Sequence, residues 1–441
     1  MENYDIAVLG GGIAGISAAV HAGELGARVC LIEKGQIGGN VFRRRYKMAM
    51  ACGVPQGGLL FEGMERRERA ISSGWLETIN EKKVVFKVGN GSLINNSEIM
   101  VRSDGRDEIV KAGKIILATG SVPIQIPSMP FDGETILSPD DVITLREIPA
   151  NILVVGANKT GCELVTLFNR WGSRVFLCDE RSHILSGQDP DIIAALEEEM
   201  KKQKIKLLLN RKPVSIYKEN GRVDITLDGE IKFTTDKIII AGLQSANTEA
   251  LEAVRPGLLL GERKEVLVND RMESSVPGIY AVGSVTGCSP DPLLSEEGGR
   301  IAAKNALGKG RTLNMDHVPT IVYTDPEIAS VGCTATNGHY KGFRTVEGCF
   351  NSNALDHSII TGEIVGLFKI VADKTTKKVI GMHILGSGAS EMISLAALTI
   401  KKGLAVSDLA ALPCGWPSRF QGVKKAARMC LDRLSGKHSD S

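Results

Sequence analysis

Ile6-Ala7-Val8-Leu9-Gly10-Gly11-Gly12-Ile13-Ala14-Gly15 is an apolar run broken by a glycine turn, and a helix-like stretch then extends to Gly26. Val29-Cys30-Leu31-Ile32-Glu33 reads as a second strand. Strand, turn, helix, strand and acid thus fit within the roughly 30 residues that a nucleotide-binding βαβ unit needs. In such a unit Gly10 makes the tight turn, Gly12 lets the backbone approach a pyrophosphate, and Gly15 lets helix and strand pack closely. The helix N-terminus favours phosphates through its unpaired N–H groups and its dipole. Glu33, at the end of the second strand, is placed to accept hydrogen bonds from a ribose diol. The stretch predicts a dinucleotide site in an α/β fold.

A second unit follows, Ile152-Leu153-Val154-Val155-Gly156-Ala157-Asn158-Lys159-Thr160-Gly161-Cys162-Glu163, with Val175-Phe176-Leu177-Cys178-Asp179 as its second strand. Asn158 stands where the first unit has Gly12. Asparagine tolerates unusual backbone, yet its side chain intrudes where a pyrophosphate would lie. The unit is either a second nucleotide site, with Gly156, Asn158, Gly161 and Asp179 in it, or a Rossmann unit kept as scaffold. A carboxylate at Asp179 would repel a 2′-phosphate and favours NAD over NADP, a preference tempered by Arg181 close by.

Bulk properties narrow the function classes. The 441 residues predict about three domains or subdomains. A net charge of +2, with 24% charged residues of both signs, gives no field that argues for nucleic acid or a membrane surface. No segment holds the roughly 18 unbroken apolar residues of a membrane helix, and a cytoplasmic protein is expected. The nine cysteines are an odd number without CxxC spacing, and the seven histidines show neither HxxxH nor HExxH, so no metal site is expected.

Between the units, Val84 to Val101 alternates as a short β-meander, and Ile115-Ile116-Leu117-Ala118-Thr119-Gly120-Ser121 is a buried strand ending in small residues. Gly278-Ile279-Tyr280-Ala281-Val282-Gly283-Ser284 is another strand ending at a glycine. From about His317 antiparallel strands and amphipathic helices predict a separate α+β domain. With Val318-Pro319-Thr320-Ile321-Val322-Tyr323-Thr324-Asp325-Pro326-Glu327-Ile328-Ala329-Ser330-Val331-Gly332 as its start, the chain resembles the flavin-dependent pyridine nucleotide–disulfide oxidoreductases of the dihydrolipoamide dehydrogenase type over nearly its whole length. The resemblance implies two Rossmann-like nucleotide-binding domains, for FAD and NAD, plus a C-terminal α+β dimerisation domain. The spans expected are 1–148 for the first part of the FAD domain, 149–266 for the NAD(P) domain, 267–315 for the returning FAD part and 316–441 for dimerisation. It also implies a homodimer whose partner completes each active site. To the glycine-motif residues and Glu33 it adds Ile13, Ala14, Lys34, Gly39, Asn40, Ser92, Ala118, Thr119, Gly120, Gly283, Ser284, Leu294 and Ser295 around FAD, and Gly242 near NAD(H).

The departures from that family gather on the redox chemistry. No cysteine lies between Cys30 and Cys52, and in an ungapped reading the family's two cysteines fall at Val41 and Tyr46. Its following lysine falls at Met50. Glu163 matches the family's glutamate near flavin N5, with Lys47 as the lysine that remains to reach it. The C-terminal histidine and glutamate that activate the thiol are replaced by Trp416 and Gln421, and neither indole nor amide shuttles a proton near neutral pH. The family's aspartate on a ribityl hydroxyl is Ser284, which still makes one hydrogen bond. Arg43, Arg44 and Arg45 form either a clamp for an anionic substrate or contacts to FAD phosphate and solvent. Tyr46 and Trp416 either stack on a flat acceptor or fill space. The candidate catalytic residues are Glu163, Lys47, Tyr46, Arg45 and Trp416.

The expected activity is an FAD-dependent NAD(P)H oxidoreductase, with NADH ahead of NADPH. Electrons would pass from flavin directly to a quinone-like or anionic small molecule or to a protein acceptor, without a protein disulfide. The alternative is a non-catalytic flavin-binding protein with a structural or regulatory role.

Overall fold

The computed structural model describes residues 3–39, 59–103, 105–143, 145, 147–219, 221–242, 244–248, 251, 257–287 and 291–436. The chain divides into two compact units, one from 1–127, 138–146 and 242–314 and the other from 128–137, 147–241 and 315–441. The two spans expected for the FAD domain fall together in the first unit, and most of the NAD(P) span falls with the dimerisation span in the second. The segment 242–266 groups with the first unit, because Gln244–Ala246 pairs antiparallel with Ser121–Pro123 there. Among the described residues no helix is long and apolar enough to cross a membrane.

The first unit is built on a seven-stranded sheet. Asn3–Leu9 lies between Val29–Glu33 and Arg106–Leu117, parallel to both. Ile6 and Val8 pack under the helix Ile13–Glu24, while Ala7 and Leu9 enter a second core on the opposite face. Burial on both faces is why this strand reads as an unbroken apolar run. Val85–Val88 adds a parallel edge beside Val29–Glu33, so only part of the Val84–Val101 stretch is a meander. The antiparallel part is Asn90–Leu93, Glu98–Ser103 and Arg106–Leu117. Ile279–Ala281 returns to pair in parallel with Arg106–Leu117.

In the second unit a five-stranded parallel sheet runs in the order Lys206–Leu209, Arg174–Asp179, Asn151–Val155, Lys237–Ile240, Ile136–Leu137. A second five-stranded sheet, antiparallel, comprises Thr320–Val322, Ile328–Gly332, Val379–Leu385, Leu367–Asp373 and Thr345–Asn351. Alternation along Leu367–Asp373 sends Phe368, Ile370 and Ala372 into a core with Ile393 and Val423 of the helices Ala389–Lys402 and Phe420–Leu434. Lys369 lies on the other face.

That other face packs against the parallel-sheet part of the same compact unit. The registers place Ser330, His383, Lys369 and Cys349 in a row across four strands. The Lys369 ammonium, on a side chain only 4% exposed, lies 3.0 Å from Asp189, 2.6 Å from Asp191 and 2.7 Å from Glu347. Asp189 is fully buried and caps the helix Pro190–Lys202, which follows the parallel sheet's second strand. Arg170 adds an ion pair to Asp325 at 2.6 Å. Burial opposes charge on Lys369, but its hydrogen bonds to the three carboxylates outweigh that and raise its pKa above the usual lysine value. Lys369→Met would leave the Asp189 charge buried and uncompensated. It is expected to cost about 3–5 kcal/mol of stability in urea unfolding, and a loss under about 1 kcal/mol, the scale of an exposed pair, would refute the clasp.

Candidate functional site

The first unit encloses a cavity of about 310 Å³ at the end of its parallel strands, the place where ligands bind in open α/β sheets. Gly10, Gly12, Ile13, Ala14, Glu33, Lys34, Gly39, Ala118, Thr119, Gly120, Gly283, Ser284 and Ser295 all line it. Gly15 lies beneath the turn, where an added Cβ would overlap the Gly10 carbonyl oxygen. Besides Gly15, two described residues expected at FAD do not line it. Ser92 is buried in its strand beside the lining residues Asn90 and Gly91. Leu294 sits on a helix whose rotation turns Pro292 and Ser295, three positions apart, toward the cavity instead.

The geometry of this cavity fits a dinucleotide. Gly12 is the N-cap of the helix Ile13–Glu24, no side chain caps that helix, and a Cβ at Gly12 would meet nothing within 4 Å. Glu33 accepts the Gly11 N–H on Oε2 at 2.5 Å and the Gly35 N–H on Oε1 at 2.7 Å. A carboxylate offers about four acceptor positions, so two remain open to a ribose diol among the described residues. Sequence reasoning missed Asn247, which also lines the cavity. Its backbone N–H bonds the Gly120 carbonyl at 3.0 Å, its Nδ2 donates to the Thr119 carbonyl at 3.2 Å, and Thr119 Oγ1 donates to its carbonyl at 2.8 Å. No local signal marks a residue 128 positions away that acts through backbone pairing.

The second unit repeats the backbone and fills the openings. Gly156 has φ +110 against +108 at Gly10. Asn158 caps the helix Lys159–Arg170, accepting the Gly161 N–H at 3.1 Å, and its Nδ2 donates to the Ala241 carbonyl at 2.5 Å. Asp179 Oδ2 accepts from the Ala157 N–H at 2.6 Å and one Arg181 guanidinium nitrogen at 2.8 Å. Its Oδ1 accepts from the Arg181 N–H at 2.9 Å and from Arg181 Nε at 2.8 Å. Burial opposes ionisation of Asp179, yet the bonds from Arg181 and Ala157 hold its pKa below the ordinary carboxylate value. Gly242 follows the strand Lys237–Ile240 and belongs to the first unit.

Glu163, 2% exposed in the second unit, accepts the Tyr323 backbone N–H at 3.2 Å. Trp416 is 69% exposed, and its indole N–H donates to Asp356 at 2.8 Å. Arg419 nearby pairs with Glu363. Asn40, Val41, Arg43, Arg44, Arg45, Tyr46, Lys47, Met50 and Cys52 lie outside the described residues. No described cysteine lines the cavity. Burial pushes the Cys178 and Cys430 thiols up to about 12 and raises Cys162 further.

Known proteins share this architecture. The model of the pyridine nucleotide-disulphide oxidoreductases matches residues 4–310, and that of their dimerisation domain matches 318–427. Dihydrolipoyl dehydrogenase of Chlamydia trachomatis is 30% identical, covering 94% of this chain and 92% of its own. Leghemoglobin reductase of Glycine max is 30% identical over 98% of this chain and 88% of its own. Among solved structures, LpdA of Mycobacterium tuberculosis has a TM-score of 0.89 at 25% identity, covering 97% of this chain and 99% of that one. The flavoprotein disulfide reductase RclA of Escherichia coli has the same TM-score at 22% identity, covering 97% and 99%, and so shares the fold. With both family models matched in order and the first glycine turn lining the cavity, the chain belongs to the pyridine nucleotide-disulphide oxidoreductases, flavin-dependent enzymes whose cofactors are FAD and NAD(H).

Proposed function

We propose that this protein takes electrons from a pyridine nucleotide, NADH ahead of NADPH, and passes them from FAD directly to an acceptor without a protein disulfide. The observation that carries the reading is the absence of any cysteine between Cys30 and Cys52, joined to Trp416 and Gln421 in place of the thiol-activating histidine and glutamate. Bound FAD would accept hydride from the reduced nucleotide and hand two electrons on, chemistry that belongs to the cofactor. Glu33 would hold the ribose, and the Gly12 turn with the helix start at Ile13 would face the diphosphate. Ser284 takes the ribityl position with one hydroxyl. Arg45, Tyr46 and Lys47, with Glu163 and a partner's Trp416, are the residues proposed to receive the acceptor, a quinone-like or anionic small molecule or a protein redox centre.

A cytoplasmic homodimer is part of the same reading. The dimerisation-domain match over 318–427 supports the dimer, and the lack of disulfides among the described cysteines fits a reducing compartment. One observation favours the second reading, a non-catalytic flavin-binding subunit. Asn158 and Arg181 satisfy the second unit's polar groups internally, as a scaffold without a nucleotide would.

The purified protein is expected to release FAD on acid treatment. Gly12→Leu, which projects into open space, should lose flavin while keeping its far-ultraviolet circular dichroism; a colourless wild type that takes up no FAD would defeat the reading. Anaerobic NADH should bleach the flavin absorbance, and no bleaching with NADH or NADPH would leave the non-catalytic reading standing. Two-electron reduction with dithionite should give no long-wavelength thiolate–flavin band. Such a band, abolished by Cys52→Ser or Cys414→Ser, would show that a relocated cysteine carries the relay.

A further inference from the structure

The two Rossmann units end their second strands on acids in the same hydrogen-bond frame. Glu33 receives one amide per oxygen, from Gly11 in the turn and from Gly35 two residues beyond the acid. Asp179 receives the equivalent pair, from Ala157 in the turn and from the backbone of Arg181 two residues beyond. The frames differ in one side chain. Position 35 is glycine, whereas Arg181 folds back and places Nε and a terminal nitrogen, each at 2.8 Å, on the two acceptor positions that the amides leave open.

A ribose diol donates two hydrogen bonds and needs those same two positions. We propose that Arg181 is a latch on the second nucleotide site, occupying Asp179 in the absence of nucleotide so that the adenosine ribose must displace a guanidinium in order to bind. This rests on the reading that the second unit takes a pyridine nucleotide. The exposures suit a displaceable group. The Asp179 side chain is 6% exposed and held by strand and turn, whereas that of Arg181 is 50% exposed and can leave into water at little desolvation cost. The charge-assisted pair must be broken before the diol bonds form, so affinity for the nucleotide falls by what that pair contributes. Asn158 adds to the same economy by consuming the Gly161 N–H at the helix start.

The test uses the flavin-loaded protein and oxidised nucleotides, so that binding is read without turnover. By calorimetry Arg181→Ala is expected to bind NAD⁺ about tenfold or more tightly than wild type, the scale of one charge-assisted interaction removed from the competition. The gain should vanish in Arg181→Ala combined with Asp179→Asn, and Arg181→Lys should fall between. Unchanged or weaker NAD⁺ binding by Arg181→Ala, or none at all, overturns the latch. A variant that loses NADP⁺ affinity while NAD⁺ affinity stays the same overturns it in favour of a 2′-phosphate clamp. If NAD⁺ binds and tightens as expected but NADH leaves the flavin coloured, the electron-transfer reading fails and the latch stands.

Discussion

The constraint on which both nucleotide units depend is the contact of a helix start with the strand that precedes it. A Cβ at Gly15 would overlap the Gly10 carbonyl oxygen, and one at Gly161 would overlap that of Gly156 in the same way. Only hydrogen fits, and the close approach aims the helix N-terminus at the ends of the parallel strands. The strand end, the acid and the cavity take their positions from that packing. A side chain at either glycine would push the helix off its sheet and open the core between Ile6, Val8 and Ile16 or its counterpart.

Given identical turns, the difference between the units is one of hydrogen-bond occupancy. In the first, helix start and carboxylate keep capacity for a ligand. In the second, Asn158 and Arg181 use that capacity within the protein. Internal satisfaction stabilises the empty unit, because a buried polar group left unpaired is costly. It also sets a threshold that an incoming nucleotide must exceed. One βαβ framework thus carries open acceptor positions in the first unit and filled ones in the second, with side chains at two positions deciding which.

The C-terminal sheet shows a related use of polarity. Its helix-covered face is apolar, and its other face carries the row Ser330, His383, Lys369 and Cys349, clasped by Asp189 and Asp191 from the start of a helix in the nucleotide-binding part. Burial there holds His383 below its usual pKa. Replacing Lys369 strands the buried Asp189 charge, which makes the arrangement specific in a way that an apolar contact is not. The family resemblance carried the dimerisation domain's identity, yet nothing in the run around Lys369 marks an ion-pair partner 178 residues earlier.

By itself the sequence determined the local units: the glycine turns, the apolar strands buried on both faces, the acids at strand ends, and through these the family and its cofactors. Those features are legible because turn sterics and strand burial act over a few residues. It also shows by itself that no cysteine lies between Cys30 and Cys52. Tertiary structure alone decided that Asn247 closes the first cavity, that Ser92 and Leu294 turn away from it, and that 242–266 returns to the first unit. It likewise decided that Arg181 lies on Asp179 and not in solvent. These outcomes depend on which donor reaches which acceptor once the chain has closed, a competition settled by distances of a few ångströms in space rather than by spacing along the sequence.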